Sequence, residues 1–192
     1  MLATQDVCDI EVAAQVPLTR TERLIQMGHG ISLMQVMFAK EAAEFAATDD
    51  YEKEGSVSPI DWIRIHCHMT GPQAANYVAA GNHFEGMPQT VEAIVEGEVG
   101  FGHLVVMART ADALAASPTA RVFDEQRLLV HARESSVGKF HHICRHIRHA
   151  ADPKGYAATE ADLVENRSLR ISTDEESGGV FLSGVFARRV GL

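Results

Sequence analysis

The strongest constraint on the fold is a stretch from Ser58 to Thr110 in which short helical segments follow one another with clear start signals. Ser58 is followed by a proline, and a capping serine with proline at the first helical position is a helix start. Thr70 supplies a second start, because Gly-Pro follows it. Two helices joined by a tight turn within about 25 residues are typical of a helix-turn-helix motif. The stretch therefore predicts a helical centre of a kind that often binds DNA.

A longer helical segment precedes this centre. Thr19 and Glu22 form an S/T-x-x-E capping box, which predicts a helix running to about Thr48. Gly28 and Gly30 lie inside this helix, and each weakens it by about 1 kcal/mol relative to alanine, so we expect a bend or break near them. Apolar residues at helical spacing are predicted to face the core, and they are Leu24, Ile31, Met34, Phe38, Ala42 and Phe45.

Connectors and further helices complete the helical part. Residues 49–57 and 111–120 are predicted to be connectors, because the first is polar and the second contains a proline. A helix is expected from about Arg121 to Arg133, and another after the capping Ser136. The second of these helices should bury one apolar side, made of Phe140, Ile143, Cys144 and Ile147.

The C-terminal segment changes to a period of two residues. Leu169 and Ile171 alternate with polar neighbours, the sequence DEESGG supplies a turn, and an apolar run resumes at Val180. This pattern predicts a β-hairpin. Because an isolated hairpin is marginally stable at best, we expect it to pack on the helices or to pair with another chain.

These elements predict a mainly α protein. The expected divisions are a loose N-terminal arm at 1–17, a helical domain at 18–156 whose helix-turn-helix-like centre spans about 58–110, and a C-terminal β-hairpin segment at 157–192. The hydrophobic content of 46% fits a folded chain.

Three observations bear on the location of the protein. No cationic region followed by an apolar run begins the sequence, so no secretory signal is expected, and no apolar run has the length of a membrane span. Cys8, Cys67 and Cys144 are widely separated and form no CxxC pair. This pattern favours a reducing compartment, and we expect a cytoplasmic protein without a membrane partner.

The charge of the chain conflicts with the order of its helices. The formal net charge is −9, which opposes attraction to nucleic acid, and the helix after the turn, GPQAANYVAAGNHF, contains no lysine or arginine. Gln73 and Asn76 could each contact adenine, Thr70 could bind a phosphate, and Arg64 adds one cation. The alternative, which the charge favours, is that Gln73 and Asn76 form the solvated side of a packing helix.

A second candidate site is the segment FHHICRHIRH, from Phe140 to His149. Arg145 and Arg148 are candidate phosphate contacts on this helix. A metal site is the less favoured alternative: His142, His146 and His149 lie at i, i+4 and i+7 and could hold zinc, copper or nickel, but no carboxylate or cysteine completes the set. A solvated polar face is the favoured interpretation of the histidines, and no cofactor is predicted.

The order and spacing of several short motifs resemble a known family. The motifs are S-x-x-x-W at Ser58 and Trp62, a Thr-Gly-Pro helix start from Thr70 to Ala74, Met87-Pro88, Gly97 followed by His103, Asp152-Pro153 with Gly155, and paired SLRIS and FLSG segments from Ser168 to Gly184. Over residues 19–192 the chain resembles the domain of unknown function 222, also called the thirteen-E-twelve repeat family of actinobacteria. Members carry this helical region in front of an HNH endonuclease domain.

The resemblance implies a module for DNA targeting or assembly. No histidine–asparagine–histidine set follows the predicted hairpin, so nuclease activity is not carried over and we expect no enzyme. The helix after the turn also lacks the arginines that are typical of related sequences.

The sequence therefore predicts a non-catalytic DNA-binding or targeting module. The alternative is an acidic homo-oligomeric interaction module that has lost DNA binding and associates with itself through the exposed edge of the hairpin. DNA binding requires a contiguous positive surface, for which the available cations are Arg121, Arg127 and Arg133, the segment from Lys139 to Arg148, and Arg188 with Arg189.

Overall fold

The computed structural model describes residues 18–117, 122–155, 168–173 and 180–185. Within these ranges the chain is mainly helical, as the sequence predicts. The predicted N-terminal arm and most of the 157–192 segment lie outside the described residues. The elements, in chain order, are α1 (Arg20–Ala46), α2 (Asp50–Lys53), α3 (Pro59–His66), α4 (Gly71–Asn82), α5 (Pro88–Val95), α6 (Phe101–Ala116), α7 (Glu125–Arg133), α8 (Val137–Ala151), β1 (Ser168–Thr173) and β2 (Val180–Val185).

The predicted helix starts are confirmed by their caps. At the start of α1, the Glu22 N–H donates to the hydroxyl of Thr19 at 3.2 Å, and the Glu22 carboxylate accepts from the Thr19 N–H at 2.7 Å. The hydroxyls of Ser58, Thr70 and Ser136 cap α3, α4 and α8 in the same way. Each such cap stabilises its helix by about 1 kcal/mol.

A break in α1 does not occur, because the helix runs without interruption through Gly28 and Gly30, and a bend at these residues stays a prediction. A Cβ atom added at either glycine would meet no other atom within 4 Å, so neither position is crowded. A propensity cost of about 1 kcal/mol per glycine is small enough for capping and for tertiary packing of the rest of the helix to offset.

The prediction that six apolar residues of α1 face the core is confirmed only for the C-terminal half of the helix. Ala42 is buried, and Phe38 and Phe45 pack against the core, but Leu24 and Ile31, like Met34, are exposed. The reason is that α4 lies against the C-terminal half of α1, where Ala39 and Ala42 are buried. Among the described residues, no other chain segment covers the apolar side of the N-terminal half.

Both predicted connectors contain helix. The 49–57 segment includes α2, and the ammonium group of Lys53 lies 2.9 Å from the carboxylate of Asp49 and 2.8 Å from that of Asp50. The 111–120 segment continues α6 to Ala116, because Ala111 and Leu114 are buried in the core and extend its apolar face. The prediction from polar residues and proline underestimated both helices.

The core is built around α4 and α6. Helix α4 contacts α1, α3 and α6 and buries Ala74, Tyr77 and Ala80. The Tyr77 ring lies between two other rings, at centroid distances of 4.7 Å from Phe38 and 5.2 Å from Phe101. Helix α8 packs on α6. Its predicted apolar side is confirmed, since Phe140 and Cys144 are fully buried and Ile143 and Ile147 partly so.

Two strands are described near the C-terminal end. They pair antiparallel, with Leu169 opposite Gly184 and Ile171 opposite Leu182. The side chains of Leu169, Ile171 and Val180 share one face of the pair and are exposed. The turn expected between the strands lies outside the described residues, and the packing of a complete hairpin on the helices stays a prediction.

Candidate nucleic-acid interface

The helix that the sequence assigns to base recognition is largely covered by its neighbours. Of the residues of α4, only Pro72, Gln73 and Asn82 are exposed. Asn76 is partly buried, and its Oδ1 atom is inaccessible and has no hydrogen-bond partner within the described structure. Of the two predicted base-contacting residues of α4, Gln73 is therefore the exposed one, and Asn76 is only partly accessible.

The other two candidates in this region have local partners. The Arg64 guanidinium lies 2.6 Å from the Asp61 carboxylate, three residues earlier on α3. The hydroxyl of Thr70 accepts the N–H of Gln73 at 3.3 Å and so serves as the cap of α4. The α3–α4 region thus presents little uncompensated positive charge.

Helix α8 is different, because it carries Lys139, Arg145 and Arg148 and no acidic residue. His141 precedes Arg145 by four residues and Arg148 by seven, so these three side chains lie on one side of the helix. This side is adjacent to the buried face formed by Phe140 and Cys144. The two arginines predicted as phosphate contacts are therefore neighbours on the protein surface.

Arg109 of α6 adds a third arginine to this surface. Burial lowers the pKa of His141, and the positive charges of Arg148, His142, Arg145 and Arg109 lower it further. Helix α6 packs against α8, and Arg109 is exposed on α6. We call Arg109, His141, Arg145 and Arg148 the basic cluster.

The arginines of the basic cluster have no carboxylate partner among the described residues, unlike four of the other cations. Lys40, Lys53, Arg64 and Arg133 each lie within 4.0 Å of an acidic side chain. In the described part of the chain, no such pair involves Arg109, Arg145 or Arg148, and the Nε of Arg148 is buried without an acceptor. A buried N–H group without an acceptor lowers the stability of the fold. A bound anion near the cluster would also reduce its uncompensated positive charge.

The three predicted groups of cations contribute unequally. Arg133 is bound to Glu98 at 2.7 Å, whereas Arg127 is exposed on α7. Arg121, Arg188 and Arg189 lie outside the described residues. The α8 arginines could be named as candidates from the sequence, whereas Arg109 could not, because only the packing of α6 against α8 brings it near them.

The histidines considered for metal binding are all on the surface of α8. His142, His146 and His149 are exposed. Among the described residues, no group of three histidine, cysteine, aspartate or glutamate side chains is arranged to hold a metal ion. The exposure of these histidines fits the favoured interpretation of a solvated polar face.

Other histidines and cysteines have structural partners. A cavity of about 240 Å³ is lined by His29 and His103. The Nε2 atom of His29 lies 3.0 Å from the carbonyl oxygen of Ile94, and that of His103 lies 3.0 Å from the carbonyl oxygen of Ser135. Burial raises the pKa of the Cys144 thiol, which keeps it protonated and a poor nucleophile at neutral pH.

Comparisons with known proteins add no relative. No protein-family model matches the chain, no curated protein matches it, and no solved structure matches it. The resemblance to the domain of unknown function 222 therefore stays a prediction. None of the described helices combines the length and apolar character needed to cross a bilayer.

Proposed function

We propose that the chain is a non-catalytic DNA-binding module that contacts phosphates through the basic cluster on α6 and α8. The observation that carries this proposal is the concentration of unpaired arginines on one surface of a protein whose net charge is −9. Acidic side chains pair with Lys40, Lys53, Arg64 and Arg133, whereas the arginines of the cluster have no such partner in the described structure. A surface of this kind attracts polyanions despite the overall charge.

The chemistry of the cluster suits the DNA backbone. Arginine forms two parallel hydrogen bonds with phosphate oxygens, and such contacts provide most of the affinity that does not depend on sequence. His141 adds a group that a nearby phosphate would help to protonate. Gln73 is the remaining candidate for contact with a base edge, and the resemblance to a family that accompanies HNH nucleases supports a role in targeting.

A titration into labelled duplex DNA, followed by anisotropy at low salt and again at about 0.2 M, tests the proposal. We expect binding that weakens steeply with salt, because phosphate contacts release counterions. Arg109→Glu and Arg145→Glu should each weaken binding about tenfold or more and reduce the salt slope by about 1. Lys40→Glu is the matched control, because Lys40 is an exposed residue of α1 and the change in charge is the same.

Two results would contradict the proposal. If the unaltered chain shows no binding at low salt, it is not a DNA-binding module. If all three variants lose affinity equally, net charge and not the basic cluster governs the interaction. Arg148 is left unchanged in this series, because its buried Nε makes a folding defect the expected effect of its replacement.

The second candidate function is the interaction module that associates with itself through the C-terminal strands. It is favoured by the exposed apolar side chains of Leu169, Ile171 and Val180 on one face of the strand pair. In this case Ile171→Asp should abolish self-association, whereas the basic-cluster variants should leave it unchanged. Association that persists in Ile171→Asp would exclude the strands as the contact.

A further inference from the structure

The N-terminal half of α1 carries an apolar seam that faces away from the protein. The seam consists of Leu24, Met27, Ile31 and Met34, whose side chains are between 57% and 72% exposed. His29 lies on the opposite side of the helix, where its Nε2 is 3.0 Å from the carbonyl oxygen of Ile94. This contact holds the other face of α1 on α5 and leaves the seam directed outward.

The spacing of the seam is that of a coiled coil. Its residues are separated by three, four and three positions, which is the a/d pattern of a heptad. At about 100° per residue, the four side chains fall within about 80° of one another. A stripe with this spacing is typical of a helix that packs on a partner helix, and the exposed Ile25 and Met37 of α1 lie outside it.

We propose that the α1 seam binds the α1 seam of a second copy of this chain in an antiparallel coiled coil. The seam is symmetrical about residue 29, so antiparallel pairing places Leu24 opposite Met34 of the second copy and Met27 opposite its Ile31. All four side chains then meet an apolar partner, and none is left facing solvent.

The two glycines of α1 fit this arrangement. Gly28 and Gly30 lie on either side of the seam, next to the point at which the two-fold axis would cross. No atom of the described chain comes within 4 Å of a Cβ added at either position, so packing within the chain does not explain them. Without side chains, they allow two helix backbones to approach closely at the axis.

The charges along α1 select the antiparallel direction. Arg20 and Arg23 lie at its N-terminal end beside Glu22, whose carboxylate accepts from the Thr19 N–H, and Glu41 and Glu44 lie toward its C-terminal end. Lys40 is 3.9 Å from Glu44, whereas Glu41 has no cation at that distance in the described structure. In the antiparallel register, Arg20 of one copy lies within one turn of Glu41 of the second copy, whereas parallel helices would bring like charges together.

The size of the contact indicates a weak, concentration-dependent dimer. Burial of about 100 Å² by each of eight seam side chains, with their flanking methylene groups, gives on the order of 1,000 Å². This is near the lower limit for a specific interface. The seam shares no residue with the basic cluster or the strand pair. The proposed dimer therefore does not rest on DNA binding, and it uses a different surface from the strands.

Sedimentation velocity of the full chain, from micromolar to several hundred micromolar, tests the dimer. We expect a monomer–dimer equilibrium whose dissociation constant rises at least tenfold in Ile31→Glu, with unchanged helix content because Ile31 is exposed. Gln26→Glu, an exposed change outside the seam, should leave the equilibrium as it is. A chain that stays monomeric, or equal effects of the two variants, would overturn the proposal.

Crosslinking determines the direction, in a background with Cys8 and Cys67 replaced by serine. Gly28→Cys should crosslink to itself through a short bismaleimide, because this residue lies beside the two-fold axis. Leu24→Cys should not, because the two copies of residue 24 would be about 15 Å apart along the helix. Linkage at residue 24 and not at residue 28 would refute the antiparallel arrangement. These outcomes are independent of the DNA titration and of Ile171→Asp.

Discussion

Helices α1 and α4 cross at Gly81, and the structure predicts that replacing this glycine with alanine lowers the free energy of unfolding. A Cβ added at Gly81 would overlap the carbonyl oxygen of Ala39 and would lie 2.6 Å from the Cβ of Ala43. The obstacle is main chain, which cannot rotate away as a side chain can. Gly81→Ala must therefore separate the two helices.

The expected magnitude follows from two opposing effects. Alanine is favoured over glycine in a helix by up to about 1 kcal/mol. Overpacking of a close contact costs about 1–3 kcal/mol, and contact with backbone belongs at the upper end of that range. The net destabilisation should be about 2 kcal/mol, which corresponds to a decrease in Tm of about 4–8 °C for a chain of this length.

Urea unfolding followed by circular dichroism measures this effect. Gly138→Ala is the matched control, because a Cβ there meets nothing within 4 Å and the variant should be as stable as the original chain or slightly more so. Ala43→Gly in the Gly81→Ala background should restore only part of the loss, since the overlap with the Ala39 carbonyl remains. If Gly81→Ala unfolds at the same urea concentration as Gly138→Ala, the close α1–α4 crossing is wrong.

The remaining predictions concern buried or titrating groups. Glu125→Ala should reduce the free energy of unfolding by about 1–3 kcal/mol, because the Thr90 N–H and hydroxyl, which donate to Glu125 at 2.7 and 2.8 Å, lose their acceptor; Glu125→Gln should retain most of it in the same urea assay. Cys144 should react with a thiol reagent far more slowly than the partly exposed Cys67 at neutral pH, since burial raises the Cys144 pKa; similar rates, read by mass spectrometry of the labelled peptides, would contradict its burial. The lowered pKa of His141 means that the folded chain binds fewer protons than the unfolded chain just below pH 6.5. The stability contributed by His141 is thus present above about pH 6.5 and lost as the pH falls, and His141→Gln should make the urea midpoint less dependent on pH between 7 and 5.

Helix starts could be predicted from the sequence because their causes are local. The hydroxyls of Thr19, Ser58, Thr70 and Ser136 each accept a main-chain N–H three residues later. Such an interaction is complete within one helical turn and does not require the rest of the fold. The apolar side of α8, with Phe140 and Cys144, was predicted for a similar reason, since its period is present in one segment.

The burial of α1 could not be predicted in this way. Ile31 and Phe38 belong to the same apolar pattern, yet Phe38 packs on Tyr77 whereas Ile31 faces outward. The difference depends on how far α4 extends along α1, and no spacing within α1 contains that information. The pattern predicts that both side chains are buried against apolar neighbours. Only the packing of the helices shows which of them is buried within the same chain.

The candidate site shows the same division. The sequence alone determined that α8 carries arginines without acids, whereas the ion pair of Arg64 with Asp61 was not predicted. Only the tertiary structure packed α6, which carries Arg109, against α8 and covered most of α4. The physical reason is the sequence separation of the interacting residues. Helix caps and ion pairs within one helical turn form between residues at a fixed short spacing, whereas burial and the local balance of charge depend on which distant helices pack together.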